Sequence, residues 1–178
     1  MGYKRTLSRA TVREITFKRS GRWEIPLSDA VHVYVRLTKS WKPRAGQYVC
    51  LCIPGVSPTS FAQLHPFYVA WCYRYDGADY AVFIVQRRKG FTDNLFLHRE
   101  TQFEEGTEMR AIVEGPYGKE LNLDSYGTVL LFATGIGIAG QLAYVVQLLS
   151  GYHNCEVKTR RIALFWQVDS ESQYFKVP

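Results

Sequence analysis

The chain has 178 residues, 47% of them hydrophobic and 15% aromatic, enough to bury a core and too apolar for an intrinsically disordered segment. Its 22 Lys and Arg against 16 Asp and Glu give a net charge of +6, which favours anionic partners. The basic groups at 4–5, 18–19, 87–89 and 160–161 are scattered along the chain, which argues against the single stripe of a nucleic-acid binder.

From residue 9 to about 115, short runs of alternating apolar and polar residues are broken by Gly, Pro, Asp and Ser. They predict strands at 11–19, 29–38, 46–54, 64–72, 79–87 and 107–115, a succession that belongs to an antiparallel barrel or sandwich. Between the last two, FTDNLFLHRE predicts a short helix capped by Thr92 or Asp93, with Leu95, Phe96 and Leu97 turned partly inward. The period then changes: a strand over 128–133, a glycine turn, a helix over about 137–150 and a strand over 161–168 make a βαβ unit. A parallel α/β domain therefore begins near residue 124, and one such unit leaves a face of its sheet uncovered. The uncharged run 128–150 is long enough to cross a bilayer. Its central glycines and β-branched first third fit strand, turn and helix better. Cys50, Cys52, Cys72 and Cys155 lack the spacing of a zinc site and are expected to be reduced and structural.

Four segments carry possible chemistry. ATGIGIAG places Gly135, Gly137 and Gly140 after an apolar strand and before a helix, where glycine lets backbone amides approach a pyrophosphate at the helix N-terminus. EGPYG supplies Gly115, Pro116, Tyr117 and Gly118, a rigid turn. RRKGFTDN sets Arg87, Arg88 and Lys89 before Gly90 and Thr92, which is either a phosphate cradle or a solvated charge cluster. In QLHPFYVAW, strand alternation puts His65, Phe67, Val69 and Trp71 on one face. His65 and Phe67 then either line a site or end a core strand.

In order and spacing, WKPRAGQYVCLCIPGVSPTSFAQLHPF, KGFTDNLF, AIVEGPYG and LDSYGTVLLFATGIGI closely resemble the flavin domain and first nicotinamide-domain segment of fungal ferric-chelate reductases. These belong with the NADPH oxidases and the ferredoxin–NADP reductase fold. The resemblance implies a six-stranded antiparallel Greek-key FAD-binding barrel over residues 1–123, followed by an incomplete parallel α/β NADPH-binding domain over 124–178. It implies FAD contacts at His65, Pro66, Phe67 and Tyr68, and a pyrophosphate contact at Arg88, Gly90, Phe91 and Thr92. It places a nicotinamide nucleotide at Gly115, Pro116, Tyr117 and Gly118 and at Thr134, Gly135 and Gly137. Hydride would pass from NADPH to FAD, and electrons onward to haem in a transmembrane domain outside this chain and then to ferric iron. No residue acts as a proton-transfer catalyst or metal ligand in this scheme. The location implied is the cytosolic face of a membrane, with this chain alone soluble. The chain departs from the family pattern at Tyr68, where a threonine is usual, at Ala139 and Gly140, where Thr or Thr-Pro is usual, and at Asp169, where an arginine is common. A non-catalytic flavin-binding or interaction module and a superoxide-producing oxidase relative are the alternatives.

Overall fold

The structure is a computed structural model describing residues 4–19, 23–38, 41, 44–56, 63–102 and 108–167. Its strands are β1 (Lys4–Arg19), β2 (Trp23–Leu37), β3 (Tyr48–Cys52), β4 (His65–Tyr68), β5 (Trp71–Tyr75), β6 (Ala78–Gln86), β7 (Glu108–Tyr117), β8 (Thr128–Thr134) and β9 (Arg161–Gln167). The helices are α1 (Phe91–Gln102) and α2 (Ile138–His153). The first seven strands form one antiparallel sheet in the order β4-β3-β7-β1-β2-β6-β5.

The segment expected as a single strand over 64–72 is two strands, β4 and β5, at opposite ends of that sheet. They are joined by two buried residues: Val69 N–H donates to Gln47 O (3.5 Å) on the β3 side, and Ala70 N–H donates to Val82 O (2.9 Å) on β6. One extended stretch thus changes partners midway and links the two sheet edges, which removes both as exposed edges. Counting β4 and β5 as one wall, the barrel has six walls in the cyclic order β1, β2, β6, β5/β4, β3, β7. This is the Greek-key arrangement. Pro66, which has no N–H to donate, sits in β4, paired on one side only.

The barrel fills with β-branched residues, among them Val31, Val33 and Val35 of β2, all essentially inaccessible. Phe83 of β6 lies fully buried among them, a burial that stabilises by about 2–3 kcal/mol. Helix α1 closes one end with Phe91, Leu95 and Phe96 inward; Leu95 and Phe96 lie as expected, while Leu97, expected with them, is exposed.

β8 and β9 pair in parallel, from Thr128 opposite Arg161 to Thr134 opposite Gln167. Val129 and Leu131 are buried against Tyr144 and Leu148 of α2. The opposite face carries exposed Leu130 and Phe132, the latter stacked on Phe165 with ring centroids 5.0 Å apart. A single βαβ unit does leave that face open. Residues 128–150 resolve into strand, turn and helix, and among the described residues no helix is long and apolar enough to cross a membrane. The four cysteines are free, but Cys155 is exposed and has no structural role of the kind expected. Cys72 is the opposite case, its thiol pushed up to about 12, first by burial and then by the nearby Asp79 carboxylate.

His32 on β2 faces outward beneath Trp71, edge-on at 5.2 Å between ring centroids, with its Nδ1 3.4 Å from the Tyr34 hydroxyl. Burial lowers its pKa to about 4. The unfolded chain therefore binds the proton at a higher pH than the fold does, so His32 favours folding above pH 6.5 and that contribution is lost as pH falls towards 4. A loss of about 3 kcal/mol is expected over this window. Thermal melts from pH 7 to 4 check it: the slope of Tm on pH should flatten in His32→Phe.

Candidate functional site

The end of α1 nearest β4 is built by a sharp turn. Gly90 has φ of +100°, which L side chains rarely adopt, so only glycine turns the chain there without strain. Arg88 N–H donates to Thr92 Oγ1 (2.8 Å), and that hydroxyl donates back to Arg88 O (2.9 Å). Asp93 N–H also donates to Arg88 O (2.9 Å). Thr92 thus acts as a clasp inside the first helical turn, and the helix starts one residue earlier than its expected cap. Arg87 is committed to the fold: its Nε–H donates to Asp93 Oδ1 (2.6 Å) and its guanidinium lies over Phe96 at 5.6 Å. Arg88 is exposed, with only a long contact to Gln86 Oε1 (3.4 Å). The three-cation cluster therefore divides into one structural arginine, Arg87, and two exposed cations, Arg88 and Lys89.

The turn and β4 meet directly. His65 stacks on Phe91 with ring centroids 4.2 Å apart and planes 15° from parallel, while Phe67 lies tilted against Phe91 at 6.4 Å. Burial lowers the His65 pKa, favouring the neutral imidazole. Within β4 the alternation holds, with His65 and Phe67 half-buried and Pro66 and Tyr68 exposed. It fails at Trp71, which packs with Ala70 outside the barrel core and not with Phe67 and Val69, because the chain changes partners between β4 and β5.

Tyr68 joins this wall to the other two segments. Its ring meets that of Tyr48 edge-on at 6.2 Å, and Tyr48 stacks on Tyr117 at 5.5 Å. On its other side it lies over Gly140 at the start of α2, where a Cβ would touch it at 3.5 Å. Two positions where this chain departs from the family pattern, Tyr68 and Gly140, are thus in contact. The Tyr117 hydroxyl donates to Glu114, and this bond, with a further one from Arg5 Nε (2.9 Å), holds the Glu114 carboxyl below the usual carboxylate range. Pro116 follows a cis peptide bond after Gly115.

Gly118 (φ +87°) and Gly46 (φ +80°) let two turns cross backbone to backbone: a Cβ on Gly118 would lie 2.7 Å from Gly46 O, and one on Gly46 would lie 2.9 Å from Lys119 O. The same junction is tied by Glu120, which accepts from Arg44 Nη1 (3.0 Å) and from Gln147 Nε2 of α2 (2.5 Å). Thr134 is exposed at the end of β8. Gly135 (φ +47°) is buried, and its carbonyl accepts from Trp166 Nε1 (2.9 Å), so β9 holds the glycine turn in place. Gly137 is exposed with open space around its Cα. Tyr48, Gly46 and Trp166 were not singled out in the sequence; the positive φ that Gly46 requires is the kind of need that a Gly-Gln step before a strand can signal. Asp169 lies outside the described residues.

These groups suit a flavin dinucleotide. The exposed guanidinium of Arg88, with its long contact to Gln86 Oε1, stands beside the α1 start. There the Asp93 and Asn94 N–H groups bond to Arg88 O and Gly90 O, and the positive end of the helix dipole faces outward. A Cβ on Gly90 would meet nothing, so a phosphate can approach the backbone there. Flat aromatic surface at His65 and Tyr68 adjoins it.

A family model described as an FAD-binding domain matches residues 16–121, more than half of the chain. Among curated proteins, the chain is 34% identical over 124 residues to ferric reductase transmembrane component 4 of Saccharomyces cerevisiae, covering 68% of this chain and 16% of that protein. It is 33% identical over 121 residues to ferric/cupric reductase transmembrane component 2 of the same yeast, covering 64% and 16%. The chain therefore spans about a sixth of the length of these relatives. Among solved structures, the ferredoxin reductase in carbazole 1,9a-dioxygenase superposes with a TM-score of 0.67 at 15% identity, covering 97% of this chain and 45% of that one. An NADH-dependent reduced ferredoxin-NADP oxidoreductase gives 0.64 at 20% identity, covering 95% and 51%. The chain belongs to the FAD-binding domain family, with ferric reductases as relatives in sequence and the ferredoxin–NADP reductase fold as its architecture.

Proposed function

We propose that this chain is the flavin-binding electron-transfer region of a ferric-reductase-like oxidoreductase at the cytosolic face of a membrane. The residue 1–123 unit holds FAD, and the 124–178 unit begins the NADPH-binding domain. His65, Pro66, Phe67 and Tyr68 form the wall beside the flavin; Arg88, Gly90, Phe91 and Thr92 secure its pyrophosphate. Gly115, Pro116, Tyr117 and Gly118, with Thr134, Gly135 and Gly137, receive the nicotinamide nucleotide. Bound FAD supplies the conversion of a two-electron donor into single electrons, which pass to haem in a transmembrane domain and then to ferric iron. The protein groups bind and orient. Neutral His65 donates or accepts one hydrogen bond without adding charge, and Arg88 neutralises phosphate.

The observation that carries this reading is the His65–Phe91 stack, which brings the HPF strand and the phosphate-type turn into one wall. Spectrophotometry tests it. The chain mixed with FAD and desalted is expected to stay yellow, and to bleach on anaerobic NADPH more readily than on NADH. A colourless protein overturns the proposal. The contact of Tyr68 with Gly140 favours a second reading, a flavin module without turnover, because the ring fills space beside the glycine turn. A yellow chain that neither nucleotide bleaches, and that Tyr68→Thr renders reducible, would establish that second reading.

A further inference from the structure

The outer wall of the barrel carries a row of side chains that flavin and nucleotide do not use. Arg9 on β1 stands directly opposite Arg110 on β7 and Arg36 on β2. Arg36 in turn faces Tyr80 on β6, and Tyr80 faces Tyr73 on β5. All five lie on one face of the sheet, since their chain neighbours Ala10, Val35, Ala81 and Ala111 point into the core. The result is a transverse band across five strands, three arginines abreast and then two tyrosine rings stacked at 5.2 Å.

Such a band is unfavourable in isolation. Directly opposed residues have Cβ atoms about 5 Å apart, and like charges placed so are destabilising. Among the described residues only Arg9 has a counter-ion, Glu108 at 3.4 Å, and that pair is exposed on both sides. Among the described residues, exposed Arg36 and Arg110 have no acidic partner. Beside the band on the same face, two residues before Arg9, stands Leu7, 65% exposed.

We propose that this face docks on the anionic surface of a phospholipid bilayer, with Arg36 and Arg110 gripping lipid phosphates. Guanidinium forks suit phosphate oxygens. Tyrosine rings settle at headgroup depth, and an isolated exposed leucine reaches the upper acyl region. A bilayer meets the arginines and Leu7 together on the adjacent walls β7, β1 and β2, with the tyrosines at the rim where the barrel curves away. An acidic protein is the competing occupant, matching the charge alone. The inference rests on the reading that the chain works at a membrane, but not on FAD binding.

Co-sedimentation of the chain with phosphatidylcholine vesicles, with and without about 30% phosphatidylserine, provides the test. Arg36→Gln combined with Arg110→Gln is expected to weaken binding to the anionic vesicles about 30-fold, a factor of about five per charge. Lys158→Gln with Arg161→Gln removes the same charge from exposed positions on the other unit and should leave binding within about twofold. Equal affinity for neutral vesicles, or an equal loss in the control pair, overturns the proposal. So does capture on immobilised polyglutamate without vesicle binding, which would assign the row to an acidic protein. FAD affinity is measured on the same samples. A chain that binds anionic vesicles through Arg36 and Arg110 but takes no FAD keeps this surface and sinks the flavin reading; one that takes FAD and shows no anionic preference does the reverse.

Discussion

Phe91→Ala is expected to cost about 3–5 kcal/mol of stability and to lower Tm by about 10 °C in a chain of this size. Phe91 is 5% exposed and belongs to the main barrel core, so truncation leaves a cavity that the surrounding strands cannot close. It is also the ring on which His65 stacks. Loss of FAD in the alanine variant would therefore mix two causes. Phe91→Leu separates them: it keeps most of the buried volume, costs about 1 kcal/mol of packing, and removes a ring contact of about 0.5–1.5 kcal/mol. FAD titration by flavin fluorescence should show affinity about tenfold weaker in Phe91→Leu, with Tm lowered by only about 5 °C, roughly half the loss in the alanine variant. Affinity equal to that of the parent chain would mean that the stack plays no part in holding the flavin.

Gly118→Ala is expected to be nearly as damaging for a different reason. The added methyl would lie 2.7 Å from Gly46 O, a backbone atom that cannot swing aside, at a φ of +87° that alanine resists. The left-handed backbone alone costs about 1–2 kcal/mol, and the clash raises the total to about 3 kcal/mol, or roughly 6–12 °C in Tm. The two turns that would be pushed apart tie the barrel to α2 through Glu120, Arg44 and Gln147. The damage should therefore concentrate at that junction, and hydrogen exchange should show lost protection in α2 before β1 or β2. Gly137→Ala is the matched comparison: its Cβ would meet nothing within 4 Å, so its Tm should stay within about 2 °C. A mild Gly118→Ala variant would mean that the crossing of the turns relaxes easily.

Which parts of this could be read along the chain follows from how local the physics is. Strand alternation is a property of neighbouring residues, so β6 and β7 were legible to within two residues at each end. The change of period near residue 124, with glycines between an apolar strand and an apolar run, identified the βαβ unit for the same reason. The extra length of β1 and β2 was less visible, since Lys4–Arg9 and Trp23–Ser28 carry no clean alternation. Arg88 and Arg87 look interchangeable in RRKGFTDN; only the fold turns one onto Asp93 and Phe96 and leaves the other open.

The amino-acid order by itself determined most of the elements, the order of antiparallel strands followed by a βαβ unit, and the four candidate segments, because each depends on residues a few positions apart. Tertiary structure alone decided that 64–72 divides at Val69–Ala70 to link the sheet edges, that His65 meets Phe91, and that Tyr68 rests on Gly140. It alone aligned Arg110, Arg9 and Arg36. Those contacts join residues far apart in the chain, and their partners are chosen by sheet register and core packing, which no local pattern encodes.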